Sequence, residues 1–238
     1  MASLAEALAQ TFLPSTCAAC GEALPWEGSD SGICAACWRA AAPHPGRRCP
    51  RCGGADVMED GPCLGCRVTP PRWTAAASWG PYSGRLRDLV LLLKTGGRDE
   101  LAAPLARRLV AVARQAGWPR PDAVVAVPMP PWRRLRRGYN QAELLARAVA
   151  RRLETPLVAA LARRGGRTQV GLARTERLRL AAGTFRVRRR VPGSVFLVDD
   201  VLTTGATAGA CSRALAGAGA REVYVLTVAT TPRTGRIP

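Results

Sequence analysis

Two carboxylates and a run of small hydroxyl residues stand together near the C-terminus, in Asp199-Asp200-Val201-Leu202-Thr203-Thr204-Gly205-Ala206-Thr207. Adjacent acids at the end of a buried segment can accept hydrogen bonds from two neighbouring sugar hydroxyls. They can also hold Mg²⁺ directly or through water. The residues that follow are small enough for backbone N–H groups to close around an anion. A helix opening there adds unpaired N–H groups and the positive end of its dipole. Thr203, Thr204, Gly205, Ala206 and Thr207 can therefore cup a phosphate while Asp199 and Asp200 hold a diol. The competing reading is an acidic strand end that merely caps a helix. A paired-acid, Thr-rich turn after a buried strand is more specific than a lone Gly-rich loop.

The second chemistry is metal binding. Eight of the nine cysteines precede residue 67 and form four Cys-x-x-Cys pairs: Cys17/Cys20, Cys34/Cys37, Cys49/Cys52 and Cys63/Cys66. Each pair can turn both sulfurs toward one ion, and Zn²⁺ takes four thiolates tetrahedrally, so two pairs close one site. Sequential pairing gives one site from Cys17, Cys20, Cys34 and Cys37 and another from Cys49, Cys52, Cys63 and Cys66. Interleaved pairing, first with third and second with fourth, is the alternative. Disulfides need an oxidising compartment, which nothing in the sequence indicates. His44, in Pro43-His44-Pro45, is surplus to eight thiolates and is expected to be a surface linker residue. Cys211 lies among small residues and is expected in the core.

Charge divides the chain where cysteine usage does. Residues 1–70 carry five Arg against seven Asp or Glu, whereas residues 71–238 carry 30 basic and 10 acidic residues. A segment that basic attracts phosphates, on a small molecule or on a polynucleotide. Lys94 is the only lysine in the chain. A lone lysine where arginine is otherwise used suits a site that wants a compact charge on a flexible stem. Arg133, Arg134, Arg136 and Arg137 precede Gly138 and a helix start, a second place to hold an anion.

These groups need elements to position them. Val195 to Val198 forms a strand buried on both faces, and Ala208 to Ala218 a helix after it. Ala123 to Pro128 is another buried strand, followed by the arginine loop and by a helix that Asn140 caps with Glu143 at its third position. Apolar spacing marks helices from Leu86 to Lys94 and from Leu101 to Val112, the latter closed by Gly117. Val223 to Val228 is a last strand and Phe185 to Val187 a short one. A short N-terminal helix carries Leu4, Leu8 and Phe12 on one face. Residues 67–74, with Pro70-Pro71, look like a linker, and 161–183 is a long irregular stretch. Repeated strand–loop–helix units with anion-binding loops at strand ends imply an α/β domain whose ligands meet the carboxyl ends of the strands. The expected division is 1–70 for an N-terminal helix and double zinc ribbon, and 71–238 for the α/β domain. No run of 18 apolar residues and no secretory leader is evident, so a cytoplasmic protein without membrane insertion is expected.

The acid–threonine loop resembles the 5-phosphoribosyl 1-pyrophosphate (PRPP) signature of type I phosphoribosyltransferases. A double zinc ribbon ahead of such a domain resembles the ComF family, linked to DNA uptake in naturally transformable bacteria. Tyr82-Ser83-Gly84 with Lys94, Val127-Pro128-Met129-Pro130, Arg137-Gly138-Tyr139-Asn140-Gln141, and Thr168-Gln169 with Leu172 and Arg177 look like further landmarks of that family. The chain departs at Leu180, where the family pattern has Asn. The resemblance implies a type I phosphoribosyltransferase fold, two structural zinc ions, and PRPP with Mg²⁺ bound by Asp199, Asp200, Thr203 to Thr207, Lys94, Arg137 and Gly138. It also implies the DNA-uptake machinery as a partner, while the excess of basic residues with neighbouring aromatics makes single-stranded DNA another. Two other readings stay open. One is a non-catalytic module that binds single-stranded DNA, with Trp132 and Tyr139 beside the arginines to stack on bases. The other is a salvage phosphoribosyltransferase acting on a free nucleobase.

Overall fold

The computed structural model describes residues 16–24, 30–55, 57, 61–163, 184–191 and 193–231. The expected N-terminal helix lies outside them, as do Thr168, Gln169, Leu172, Arg177 and Leu180. The described chain begins with two cysteine-knuckle modules, which include the short helices α1 (Ala35–Ala40) and α2 (Leu64–Val68).

A four-stranded sheet follows, made of β1 (Ala75–Pro81), β2 (Ala123–Ala126), β5 (Gly193–Leu202) and β6 (Ala220–Thr230). Its order is β1-β6-β5-β2 and every pairing is parallel. Parallel strands require crossovers, and helices supply them on both faces. Helices α3 (Gly84–Thr95), α4 (Ala102–Gln115) and α6 (Gln141–Leu153) pack on one face against Phe196, Val198, Tyr224 and Leu226. On the other face, α7 (Ala206–Gly217) packs against Val195, Leu197, Val223 and Val225. The run Val195 to Val198 is buried on both sides, as its composition predicts. Two short strands, β3 (Leu161–Arg163) and β4 (Phe185–Val187), pair antiparallel beside the sheet.

Several elements differ from the sequence expectation. The arginine run is a helix, α5 (Pro131–Arg137), started by Pro131 and ended by Gly138 in the left-handed region at φ 81°. β1 has no β-branched residue, so its sequence does not mark it as a strand; pairing with β6 makes it one. β5 runs through the acid pair to Leu202, because Asp199, Val201 and Leu202 stay in register with Thr227, Ala229 and Thr230 of β6.

The first knuckle module shares a core with the α/β helices. Cys17, Leu24, Ile33, Cys37 and Trp38 belong to the same apolar cluster as Leu86, Leu89 and Leu105. The Arg108 guanidinium lies 3.9 Å from the centre of the Trp38 ring, and Arg107 pairs with Asp30. His44 is not a surface linker residue. It is half-buried, and its backbone N–H donates to Trp79 O at 2.8 Å along the free edge of β1. Burial, and then the Arg48 charge, lower its imidazole pKa to about 4. The connection 67–74 is anchored too: Trp73 is only 5% exposed. Among the described residues no helix is long and apolar enough to cross a membrane.

Candidate functional site

β2 and β5 are neighbours, yet the helix that follows β2 into the core, α6, packs on one face and α7, which follows β5, packs on the other. The loops therefore part at the carboxyl ends of these strands and open a crevice, the usual ligand site of an open α/β sheet. One wall is 127–138 and the other 199–207. Val127 N–H donates to Val198 O at 3.0 Å and holds the walls together at their base.

Asp200 is buried, with 4% of its surface exposed. Lys94, in the last turn of α3, places Nζ 3.1 Å from Asp200 Oδ2. Apart from the Lys94 ammonium, no donor among the described residues meets this oxygen. A buried carboxylate oxygen with an open acceptor direction suits a sugar hydroxyl or a hydrated cation. Asp199 Oδ1 accepts from the Asp200 N–H at 2.9 Å. Burial pushes the Asp199 carboxyl well above the ordinary carboxylate range and the Asp200 charge pushes it further, against the pull of the Asp200 N–H and Lys94. Cys211 is fully buried in α7, as expected for a core residue; burial raises its thiol pKa, and the Asp199 charge adds to the rise.

The threonine loop follows directly. Gly205 is the N-cap of α7 at φ 79° and has no side chain of its own to cap the helix. Its carbonyl accepts from Gly209 N–H at 2.7 Å, which starts the helical ladder and leaves the first N–H groups facing the loop. Thr203, Thr204 and Thr207 are exposed there, and Thr204 Oγ1 accepts weakly from Ala206 N–H at 3.4 Å.

On the opposite wall, Arg137 stands apart from the acids. Its Nη1 donates to Gln141 Oε1 at 3.3 Å, and its buried Nε has no acceptor among the described residues. Asn140 caps α6 through Ala142 N–H and donates to Val127 O at 3.1 Å, which ties the helix start to the end of β2. Tyr139 O–H donates to Leu93 O at 2.6 Å, one residue before Lys94. This bond joins the arginine wall to the helix that carries the lysine. A cavity of about 340 Å³ opens beside the wall, bordered by Pro128, Met129, Arg134, Asn140, Leu161 and Arg163. The structure thus brings Lys94, Asp199, Asp200 and the threonine loop together, and leaves Arg137 and Gly138 on the facing wall.

The cysteines assemble sequentially. In each of Cys17/Cys20/Cys34/Cys37 and Cys49/Cys52/Cys63/Cys66 the four sulfurs lie within 4.8 Å of one another. Cys17–Cys37, Cys20–Cys34 and Cys52–Cys63 are each 3.8 Å apart. Four thiolates about 2.3 Å from a tetrahedral zinc have S···S edges of about 3.8 Å, so both sites fit the ion. Backbone N–H groups favour thiolate at Cys17 and Cys49, whereas burial and the neighbouring thiols push the Cys37 and Cys66 thiols up. Burial raises the Cys17 thiol, but the N–H groups of Cys34, Ala19 and Cys20 outweigh it and leave its pKa at about 6; Cys49 comes to about 7 in the same way. His44 belongs to neither cluster.

A family profile described as a double zinc ribbon domain matches residues 8–67. The chain is 36% identical over 222 residues to the DNA utilization protein YhgH of Salmonella typhi, across 90% of this chain and 96% of that one. It is 30% identical over 210 residues to competence protein F of Haemophilus influenzae, across 82% of this chain and 89% of that one. Among solved structures, a purine phosphoribosyltransferase from Pyrococcus horikoshii is similar over 57% of this chain and 76% of that one, at 17% identity and a TM-score of 0.35. Two Cys₄ knuckle modules ahead of a parallel α/β sheet define a zinc-ribbon protein with an α/β domain. The chain belongs to the ComF family, with the DNA utilization and competence F proteins as its relatives.

Proposed function

We propose that the crevice between 127–138 and 199–207 binds PRPP with Mg²⁺, and that the chain uses this site in DNA utilization or uptake in the cytoplasm. The observation that carries the reading is the buried Asp200 carboxylate, paired with the only lysine and followed by a helix that starts on a glycine. Asp199 and Asp200 would hold the ribose diol and the hydrated cation, which supplies charge neutralisation to the pyrophosphate. Thr203 to Thr207 would receive the 5′-phosphate, and Arg137 with Gly138 would face the pyrophosphate. Transfer to an acceptor requires a second pocket beside the sugar, and the cavity at Met129 is of ligand size.

Calorimetry of PRPP with and without Mg²⁺ tests this. Charge-assisted hydrogen bonds contribute about 1.5–3 kcal/mol, so Asp200→Asn should weaken PRPP on the order of 10- to 150-fold. A wild type that gives no heat with PRPP and Mg²⁺, or an Asp200→Asn variant that binds equally well, refutes the reading.

One observation favours a second partner. α5 buries none of its residues and exposes Trp132 and Leu135 beside Arg134 and Arg136. An exposed cationic helix with a half-exposed indole, over which the Arg133 guanidinium lies 5.1 Å from the ring centre, suits single-stranded DNA held without sequence preference. Its affinity should fall with salt at a log–log slope of roughly −0.7 per phosphate neutralised. A salt-independent affinity would remove this reading.

A further inference from the structure

We infer that Trp73 is a positioning residue, seating the phosphate loop on the second zinc knuckle. This rests on the reading of Thr203 to Thr207 as a phosphate cup.

Trp73 touches both structures at once. At one end, Nε1 donates to Arg51 O at 2.6 Å. Arg51 lies between Cys49 and Cys52, two of the four ligands of the second cluster. The knuckle around it is closed by Gly53 N–H to Cys49 O at 2.8 Å and Cys49 N–H to Gly54 O at 3.0 Å. At the other end, Cη2 of the indole lies 2.7 Å from where a Cβ on Gly205 would be, and Cζ3 lies 3.7 Å from that of Gly209. The ring therefore bears directly on the cup glycine and on the first turn of α7. The backbone beside it cannot drift, because Thr74 N–H donates to Val223 O at 2.8 Å and Thr74 Oγ1 accepts from Val223 N–H at 3.1 Å.

Gly205 holds a left-handed φ of 79°, a conformation that glycine adopts freely and leaves as freely. Something must hold it if the N–H groups are to converge on one phosphate before the ligand arrives. The indole, packed on one side and hydrogen-bonded to the knuckle of the second Cys₄ cluster on the other, does so. Zinc held by Cys49, Cys52, Cys63 and Cys66 would fix Arg51 O; Arg51 O holds the ring, and the ring bears on the cup.

Two measurements test this, using full-length, zinc-loaded protein. The first is amide hydrogen exchange of the 203–209 segment without ligand. Exchange there should speed up in Trp73→Leu and in Trp73→Phe, which keeps an aromatic core residue but loses the N–H and shortens the reach. Chelation of zinc from wild type should produce the same change. The second is calorimetry with three probes: PRPP, ribose 5-phosphate and pyrophosphate. Trp73→Leu should lose on the order of tenfold with PRPP and with ribose 5-phosphate, and keep its pyrophosphate affinity and two zinc equivalents. Unchanged exchange at 203–209 overturns the inference, as does equal weakening of all three probes, which marks general loss of packing. Faster exchange in a protein whose wild type ignores PRPP upholds the seating and refutes the PRPP reading instead.

Discussion

Asp199 and Asp200 share a strand end but not an environment. The Asp200 carboxylate has Lys94 as its counterion, whereas burial and its neighbour push the Asp199 carboxyl well above the usual range. A carboxyl whose pKa rises on folding destabilises the folded state as pH climbs through the window above its ordinary 3.8, and the cost vanishes below that value. Asp199→Asn should therefore melt a few degrees higher than wild type near neutral pH. The difference should shrink as pH falls toward 3.8, and thermal unfolding followed across pH checks it. A variant that melts lower than wild type at neutral pH would contradict this account. The residue types at this site were legible in the sequence: the paired acids, the threonines and the lone lysine each announce their chemistry. Their meeting was not, because Lys94 reaches Asp200 through tertiary packing that no local spacing encodes.

The loops at the strand ends depend on backbone conformations that only some residues accept. Gly138 and Gly205 both sit in the left-handed region, at φ 81° and 79°. A Cβ on Gly138 would meet nothing within 4 Å, whereas one on Gly205 would lie 2.7 Å from Trp73. Gly138→Ala should therefore cost only the strain of that conformation, about 1–2 kcal/mol. Gly205→Ala should cost more, and should weaken PRPP as well, since the cup must shift off the indole. Denaturant unfolding of the two variants compares them directly, and equal losses would remove the contact from the account. Strand–loop–helix units were readable from apolar runs and caps, as at Asn140. α5 was hidden by its charge, since an arginine run without an apolar face gives no helical period. β1 was hidden by its alanines. Trp73 was hidden by its surroundings, because Pro70-Pro71 marks a connection and says nothing about an indole folded back into the core.

Across the whole molecule, zinc and sheet belong to one packing unit where the first knuckle meets α3 and α4. Metal analysis of reduced protein should return about two equivalents per chain, one for each Cys₄ cluster. A strong chelator should lower the melting temperature of the α/β sheet along with that of the ribbons, because Ile33 and Trp38 share a core with Leu89 and Leu105. A sheet transition untouched by metal loss, read by near-ultraviolet circular dichroism, would overturn that. Composition located the ribbon and the basic segment from counts alone, but it treated them as neighbours on a string; their shared core depends on which faces are apolar in three dimensions. The lone lysine has one more consequence, for reagents rather than ligands. In 238 residues the chain offers acylating chemistry a single side-chain amine, and that amine is the Asp200 counterion. A reagent selective for amines thus labels the crevice and the N-terminus and no other part of the chain, so the extent of labelling within the chain is a direct gauge of whether the crevice is filled.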